Sequence, residues 1–165
     1  MHQNMVYTEE KALSNLAALC SRGEHCTGEL DEKMRRWGLD EGARRRVLDY
    51  LTSHQFVDDA RFCRSYVNDK VKYDRWGRRK IEQALWAKRI SEDISAQVLD
   101  DVDDEDYLTA LRPLLKTKWP TIKAKSDYER SMKLIKYAMS RGFEMRLIRQ
   151  CIDEMGDVDD VDDED

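Results

Sequence analysis

A set of apolar positions that returns at fixed offsets constrains this chain more than any other feature. On a shift of 51 residues, Leu30, Met34, Leu39, Ala43, Val47, Leu48 and Leu51 fall on Ile81, Leu85, Ile90, Ile94, Val98, Leu99 and Val102. On a shift of 104 they fall on Leu134, Ala138, Phe143, Leu147, Cys151, Ile152 and Met155, and Gly38 falls on Gly142. Every position stays apolar or small. A period of roughly fifty residues with helical spacing inside each copy specifies tandem helical units. One such unit can hardly bury its own apolar face, so the copies must stack. The expected fold is all-α: an elongated array of three tandem three-helix repeats, at 9–55, 56–103 and 104–156. A flexible N-terminus (1–8) precedes it. An acidic tail (157–165) follows, which lacks a periodic apolar face and reads as disordered.

Local signals place the helices. Thr8 precedes Glu9 and Glu10, Thr27 precedes Leu30 and Met34, and Asp40 precedes Ala43 and Val47, each a residue able to accept N–H groups of a first helical turn. Asp58 and Asp59 open copy two in the same way. Gly38 and Gly77 are expected helix breaks, and Asp103 or Asp104 the cap of the helix that opens copy three. That copy diverges most, with Pro113 inside its first helix and a polar stretch from Pro120 to Ser126, as suits the end of an array.

Charge is segregated along the chain. The formal net charge is -5, but residues 91–106 hold eight acids and residues 157–165 seven, with no Lys or Arg in either. Without them 29 Lys and Arg face 19 Asp and Glu, so the body of the chain is basic. That points to a polyanion or an acidic protein partner, with solvated helix faces as the plainer alternative. Lys70, Lys72, Arg75, Arg78, Arg79 and Lys80 crowd one turn, with Tyr73 and Trp76 between them. Lys88 and Arg89 lie just beyond. Arg35 and Arg36 precede Trp37, and Arg44, Arg45 and Arg46 follow in copy one. Basic residues interleaved with aromatics suit phosphate contact and base stacking. The competing reading of Trp76 is that it packs the turn. Trp37 and Trp86, near helix ends, read as core or interface.

Catalytic signatures do not emerge. There is no phosphate loop, nucleophile elbow or zinc-protease helix, and the three histidines have no fixed carboxylate partner. Cys20, Cys26, Cys63 and Cys151 form no C-x-x-C pair and read as reduced structural thiols; no metal or cofactor is expected. No apolar run reaches the roughly 20 residues of a membrane span, and the N-terminus lacks signal-peptide organisation. A cytoplasmic protein that is not an enzyme is the expectation.

The stretch from Phe56 to Ile90 carries a resemblance. FVDDARF, then YV, GRRKI and KRI are similar to the central repeat of the RecX family of bacterial regulatory proteins: an acidic pair before an aromatic, Tyr-Val, a Gly followed by basic residues and an Ile, then Lys-Gly-Ile. Arg89 stands where the family usually has Gly. The resemblance implies an elongated, curved stack of three-helix repeats that acts as a monomer. It implies docking in the groove of the RecA filament on single-stranded DNA, restraining recombinase and coprotease activity and so DNA repair. Two alternatives remain open on the residues alone: a basic DNA-binding regulator acting without RecA, and a helical-repeat adaptor that binds only protein.

Overall fold

A computed structural model describes the backbone of residues 7–162 and the side chains of 7–156. Within these residues the chain is helical throughout, with no strand: α1 (Glu9–Arg22), α2 (Thr27–Arg36), α3 (Glu41–Ser53), α4 (Asp59–Lys72), α5 (Arg78–Ala87), α6 (Glu92–Asp100), α7 (Asp104–Lys118), a 3-10 turn (Trp119–Thr121), α8 (Asp127–Ser140) and α9 (Met145–Asp162). The caps follow the sequence closely. Thr8, Asp40 and Ser126 accept the N–H groups of Lys11, Ala43 and Glu129. Asp58 caps α4 by accepting from the Arg61 N–H at 3.0 Å.

Several expectations are corrected. α2 starts at Thr27 itself, with Cys26 in the cap position and no side-chain cap bond. The Thr27 N–H and hydroxyl donate instead to Asp59, at 2.8 and 2.7 Å. Of the acidic pair, therefore, one member caps its own helix and the other ties α4 to α2. Asp103 takes the α7 cap position but makes no side-chain cap bond. The turn after α4 is set by Arg75, at φ 54, and not by Gly77. α9 continues as helix through 157–162, where a disordered tail was expected; 163–165 and 1–6 lie outside the described residues.

Two compact units divide the chain, and they do not follow the repeat boundaries. One holds the residues up to Tyr66 together with Leu85–Ala96; the other holds Val67–Ala84 and the residues from Gln97 onward. In the first unit Ala12 and Leu16 of α1, Leu30 and Met34 of α2, and Ala43, Val47 and Leu51 of α3 form one buried cluster with Leu39 and Val57. In the second, α7, α8 and α9 pack around buried Leu108, Leu111, Leu115, Leu134, Ala138, Phe143, Leu147 and Ile148. None of the 21 repeated apolar positions is exposed, which is the physical content of the sequence period.

The same corner ends the second helix of each copy. Leu39, Ile90 and Phe143 donate their N–H groups back to Met34, Leu85 and Ala138, at 3.1, 3.1 and 3.2 Å. These are the six-to-one bonds of a Schellman cap, and both residues of each pair are buried. The residue before each donor is left-handed: Gly38 at φ 83, Arg89 at φ 61 and Gly142 at φ 93. Arg89 holds a conformation that costs a side-chain-bearing residue about 1–2 kcal/mol. Its guanidinium donates to the Gly28 carbonyl at 2.8 Å and to Asp31 at 3.1 Å, which offsets that cost.

The corner also forms the joint between copies. In the first unit Gly28, at the start of α2, abuts the Lys88 carbonyl closely enough that a Cβ would overlap it. In the second unit the Gly77 N–H donates to the Arg141 carbonyl at 2.8 Å and the Arg79 N–H to the Gly142 carbonyl at 3.0 Å. Copies one and two thus each present the N-terminal end of their second helix to the left-handed corner of the following copy.

Candidate polyanion-binding surfaces

The turn between α4 and α5 lies in the second unit. Its central side chain, half-buried Trp76, is flanked by two ammonium groups: Lys70 Nζ lies 4.6 Å and Lys80 Nζ 4.5 Å from the indole centroid. Both contacts are of cation–π geometry. The Trp76 ring is thus engaged by lysines of both α4 and α5. Tyr73 is 69% exposed, with Lys72 Nζ 5.4 Å from its ring centroid.

The cations around this turn are not equivalent. Arg78 is committed to structure: its guanidinium lies 2.7 Å from Glu82 and 2.7 Å from Asp100, and these bonds raise its pKa. Lys70 pairs with Asp74 at 2.9 Å. Lys72, Arg75 and Arg79 are exposed and make no ion pair among the described residues. A cation without a carboxylate partner keeps its full field for an incoming anion.

In the first unit most of the candidate residues are spoken for. Arg44, mostly buried, donates to Asp31 at 2.9 Å and to the Leu39 carbonyl at 2.8 Å. Arg46 meets Glu9 at 2.6 Å, Lys88 meets Glu29 at 2.7 Å, and Arg89 shares Asp31 with Arg44. Burial pushes the Glu29 and Asp31 carboxyls up, but bonds from Lys88 and from His25 (3.2 Å away, a histidine expected to have no fixed carboxylate partner) to the first, and from Arg44 and Arg89 to the second, outweigh it and hold both below the ordinary range. A groove of about 580 Å³ lined by Glu29, Glu32, Lys33, Arg36, Lys88 and Arg89, among others, is therefore an ion-pair seam. Arg36 and Arg45 make only long, exposed pairs, with Glu32 at 3.7 Å and Glu41 at 3.5 Å. Arg35 is exposed and makes none among the described residues.

Two features escaped the sequence reading. Trp86 is 81% exposed, which removes the core half of its core-or-interface reading. A second basic and aromatic region runs from Lys116 to Arg141, with eight Lys or Arg against two acids. There Lys118 Nζ lies 4.7 Å from the Tyr137 centroid and Arg130 lies 5.1 Å from that of Trp119. The interleaving of cations with aromatics that drew attention to the Trp76 turn is also present here, spread over two helices and so less conspicuous.

Residues 58–99 match the family model for the second three-helix domain of RecX, and residues 104–152 that for the third. Over 152 residues the chain is 30% identical to regulatory protein RecX of Chlorobium phaeobacteroides (strain BS1), covering 92% of this chain and 98% of that protein. The chain belongs to the RecX family. Regulatory protein RecX of Clostridium perfringens (strain 13 / Type A) is 30% identical over 118 residues, 70% of this chain but 55% of that one; the chain spans about half the length of the Clostridium relatives it matches. The fold agrees: the crystal structure of RecX from Lactobacillus salivarius superposes with a TM-score of 0.82 at 18% identity, covering 90% of this chain and 96% of that one.

In RecX terms, the Trp76 turn belongs to the second domain and the Lys116–Arg141 region to the third. Arg89 holds the left-handed corner that Gly38 and Gly142 hold in the other two copies. Among the described residues no group of three or more His, Cys, Asp or Glu is placed to hold a metal ion. No described helix is long and apolar enough to cross a membrane.

Proposed function

We propose that this RecX-family protein is a regulator that binds the RecA–DNA nucleoprotein filament, inhibits its recombinase and coprotease activities, and so modulates DNA repair. The observation that carries the reading beyond family membership is the Trp76 turn. Lys72, Arg75 and Arg79 stand exposed there without ion pairs among the described residues, beside exposed Tyr73. Charges that contribute no ion pair to the fold are suited to phosphates, where each contact gains by releasing a counterion. Exposed Tyr73 offers a face on which an unstacked base can lie.

The test is binding to RecA filaments on single-stranded DNA, against free DNA and free RecA, with the triple variant Lys72→Ala, Arg75→Gly, Arg79→Ala. Arg78 is left intact because its ion pairs belong to the fold. If all three cations meet phosphates, the salt slope of log K falls by about 2 units, inhibition of strand exchange is relieved, and thermal unfolding changes little. Full inhibition by the folded triple variant refutes the role of this turn. Equal affinity for duplex DNA without RecA favours a DNA-binding regulator instead.

A further inference from the structure

Copy three departs from the others on the face through which copies join. Tyr128, Met132, Ile135 and Met139 of α8 correspond, by the offsets of the repeat, to Glu24, Gly28, Asp31 and Arg35 in copy one and to Arg75, Arg79, Glu82 and Trp86 in copy two. In copy one Gly28 and Asp31 receive the next corner. In copy three these places are apolar. Tyr128 is 76%, Met132 41% and Met139 43% exposed, and Ile135 is half-buried. At about 100° per residue the four side chains fall within an arc of roughly 60°, running about 16 Å along α8.

A further copy could not join here as copy three joins copy two. The joint in the second unit needs unbonded N–H groups at a helix start. α8 begins a full turn earlier than its counterparts, and its start is closed: Ser126 accepts from the Glu129 N–H at 3.1 Å, and the Glu129 carboxylate accepts from the Lys125 N–H at 2.9 Å. The apolar row is left without that use.

We propose that this face of α8 is a docking surface for an acidic amphipathic helix of a partner protein. An exposed row at helical spacing is matched by a second helix laid along it with its own apolar anchors. Two of the four side chains are Met, whose flexible thioethers mould to a partner's surface. Charge sets the partner's sign. Lys136 is exposed beside Met132 and Met139, and Lys133 and Lys125 lie along the same side. The Glu129 carboxylate accepts from the Lys125 backbone N–H and pairs with the Lys133 ammonium 3.5 Å away, so the Lys125 and Lys136 ammonium groups are the ones without an ion pair among the described residues. A nucleic-acid strand fits worse, because phosphates would leave the methionines covered by nothing apolar. The proposal is independent of the filament reading and of the Trp76 turn.

Methyl spectroscopy on the full chain with labelled methionines tests it. The probe is a designed peptide of about 15 residues with Leu at helical i, i+4, i+7 and i+11 and Glu on its other faces, beside a twin with Lys for every Glu. The Met132 and Met139 methyls should shift saturably with the Glu peptide, while buried Met34 stays still. The Lys twin should bind at least about tenfold more weakly, and added salt should weaken the Glu peptide. Met132→Ser with Met139→Ser should abolish binding without changing helicity. No methyl shift at millimolar peptide, or equal binding of the twin, overturns the proposal. So do methyl shifts that depend on protein concentration alone, which would assign the face to a second copy of this chain.

Discussion

Gly77→Ala isolates the joint between copies two and three. Gly77 is buried and is not among the left-handed glycines, so what it supplies is space. A Cβ there would lie under 3.0 Å from the Gly142 carbonyl and the Phe143 nitrogen, all backbone atoms that cannot swing aside as a side-chain end can. Relief requires the corner to retreat, which breaks the bonds from Gly77 to Arg141 and from Arg79 to Gly142. Overpacking of this kind costs about 1–3 kcal/mol, and each net hydrogen bond lost about 1 kcal/mol. The variant should therefore lose about 3–5 kcal/mol in urea unfolding followed by circular dichroism. Gly156→Ala is the control. Nothing lies within 4 Å of its Cβ position, it sits inside α9, and it should gain roughly 0.5–1 kcal/mol. A loss at Gly77 under about 1 kcal/mol would show that the corner is soft and that the joint does not hold the copies together.

Three further outcomes follow from the same geometry. Leu85→Ala empties a fully buried position and should cost about 2–5 kcal/mol; a loss under half a kcal/mol would contradict its place in the core. At the left-handed corner, Arg89→Gly should be close to neutral in urea unfolding, since relief of backbone strain offsets the lost bonds to Gly28 and Asp31. Arg89→Ala keeps the strain without the bonds and should be the less stable of the two by about 1 kcal/mol; the reverse order would refute the reading of φ 61. The third concerns pH. The Asp31 carboxyl, though pushed up by burial, is held below the ordinary range by Arg44 and Arg89. A depressed folded value adds stability above the unfolded value of about 4 and loses it as pH falls through the folded value. Asp31→Asn should thus be less stable than the parent at pH 7, with the gap closing in acid; a gap independent of pH would mean that the carboxylate's charge contributes nothing.

What the sequence made legible was the buried side of the second and third helix of each copy, because the repeat shows those apolar positions three times over. It also made the corner legible at Gly38 and Gly142, and the offset of 51 places Arg89 at the same point despite its side chain. Partnerships between distant residues were not legible. Asp59 meets Thr27 across 32 residues, and Arg78, at the start of α5, meets Asp100, at the end of α6; neither pair leaves a local pattern. Counting charges therefore overstated the basic surface of copy one, where Asp31 and Glu29 hold Arg44, Arg89 and Lys88. The compact units were hidden for a related reason: a periodic apolar face says that a helix packs, but not which neighbour receives it, so α4 and α5 run from one unit into the other.

Arg75 and Arg89 together show where an unused charge is to be sought. Both are left-handed, at φ 54 and φ 61, and both bear a side chain where glycine would be easier. Arg89 is compensated within the fold, through Asp31 and the Gly28 carbonyl. Arg75 lets the Trp76 N–H reach the Lys70 carbonyl at 2.9 Å, a role glycine would fill without strain, and its guanidinium makes no hydrogen bond or ion pair among the described residues. A strained position whose side chain contributes no bond to the folded state points to work done elsewhere. Arg75→Gly should therefore leave the fold as stable as before, or raise its stability by about 1 kcal/mol, while weakening binding to the filament. If the variant is destabilised instead, the guanidinium serves the fold, and the Trp76 turn loses its strongest claim to a phosphate.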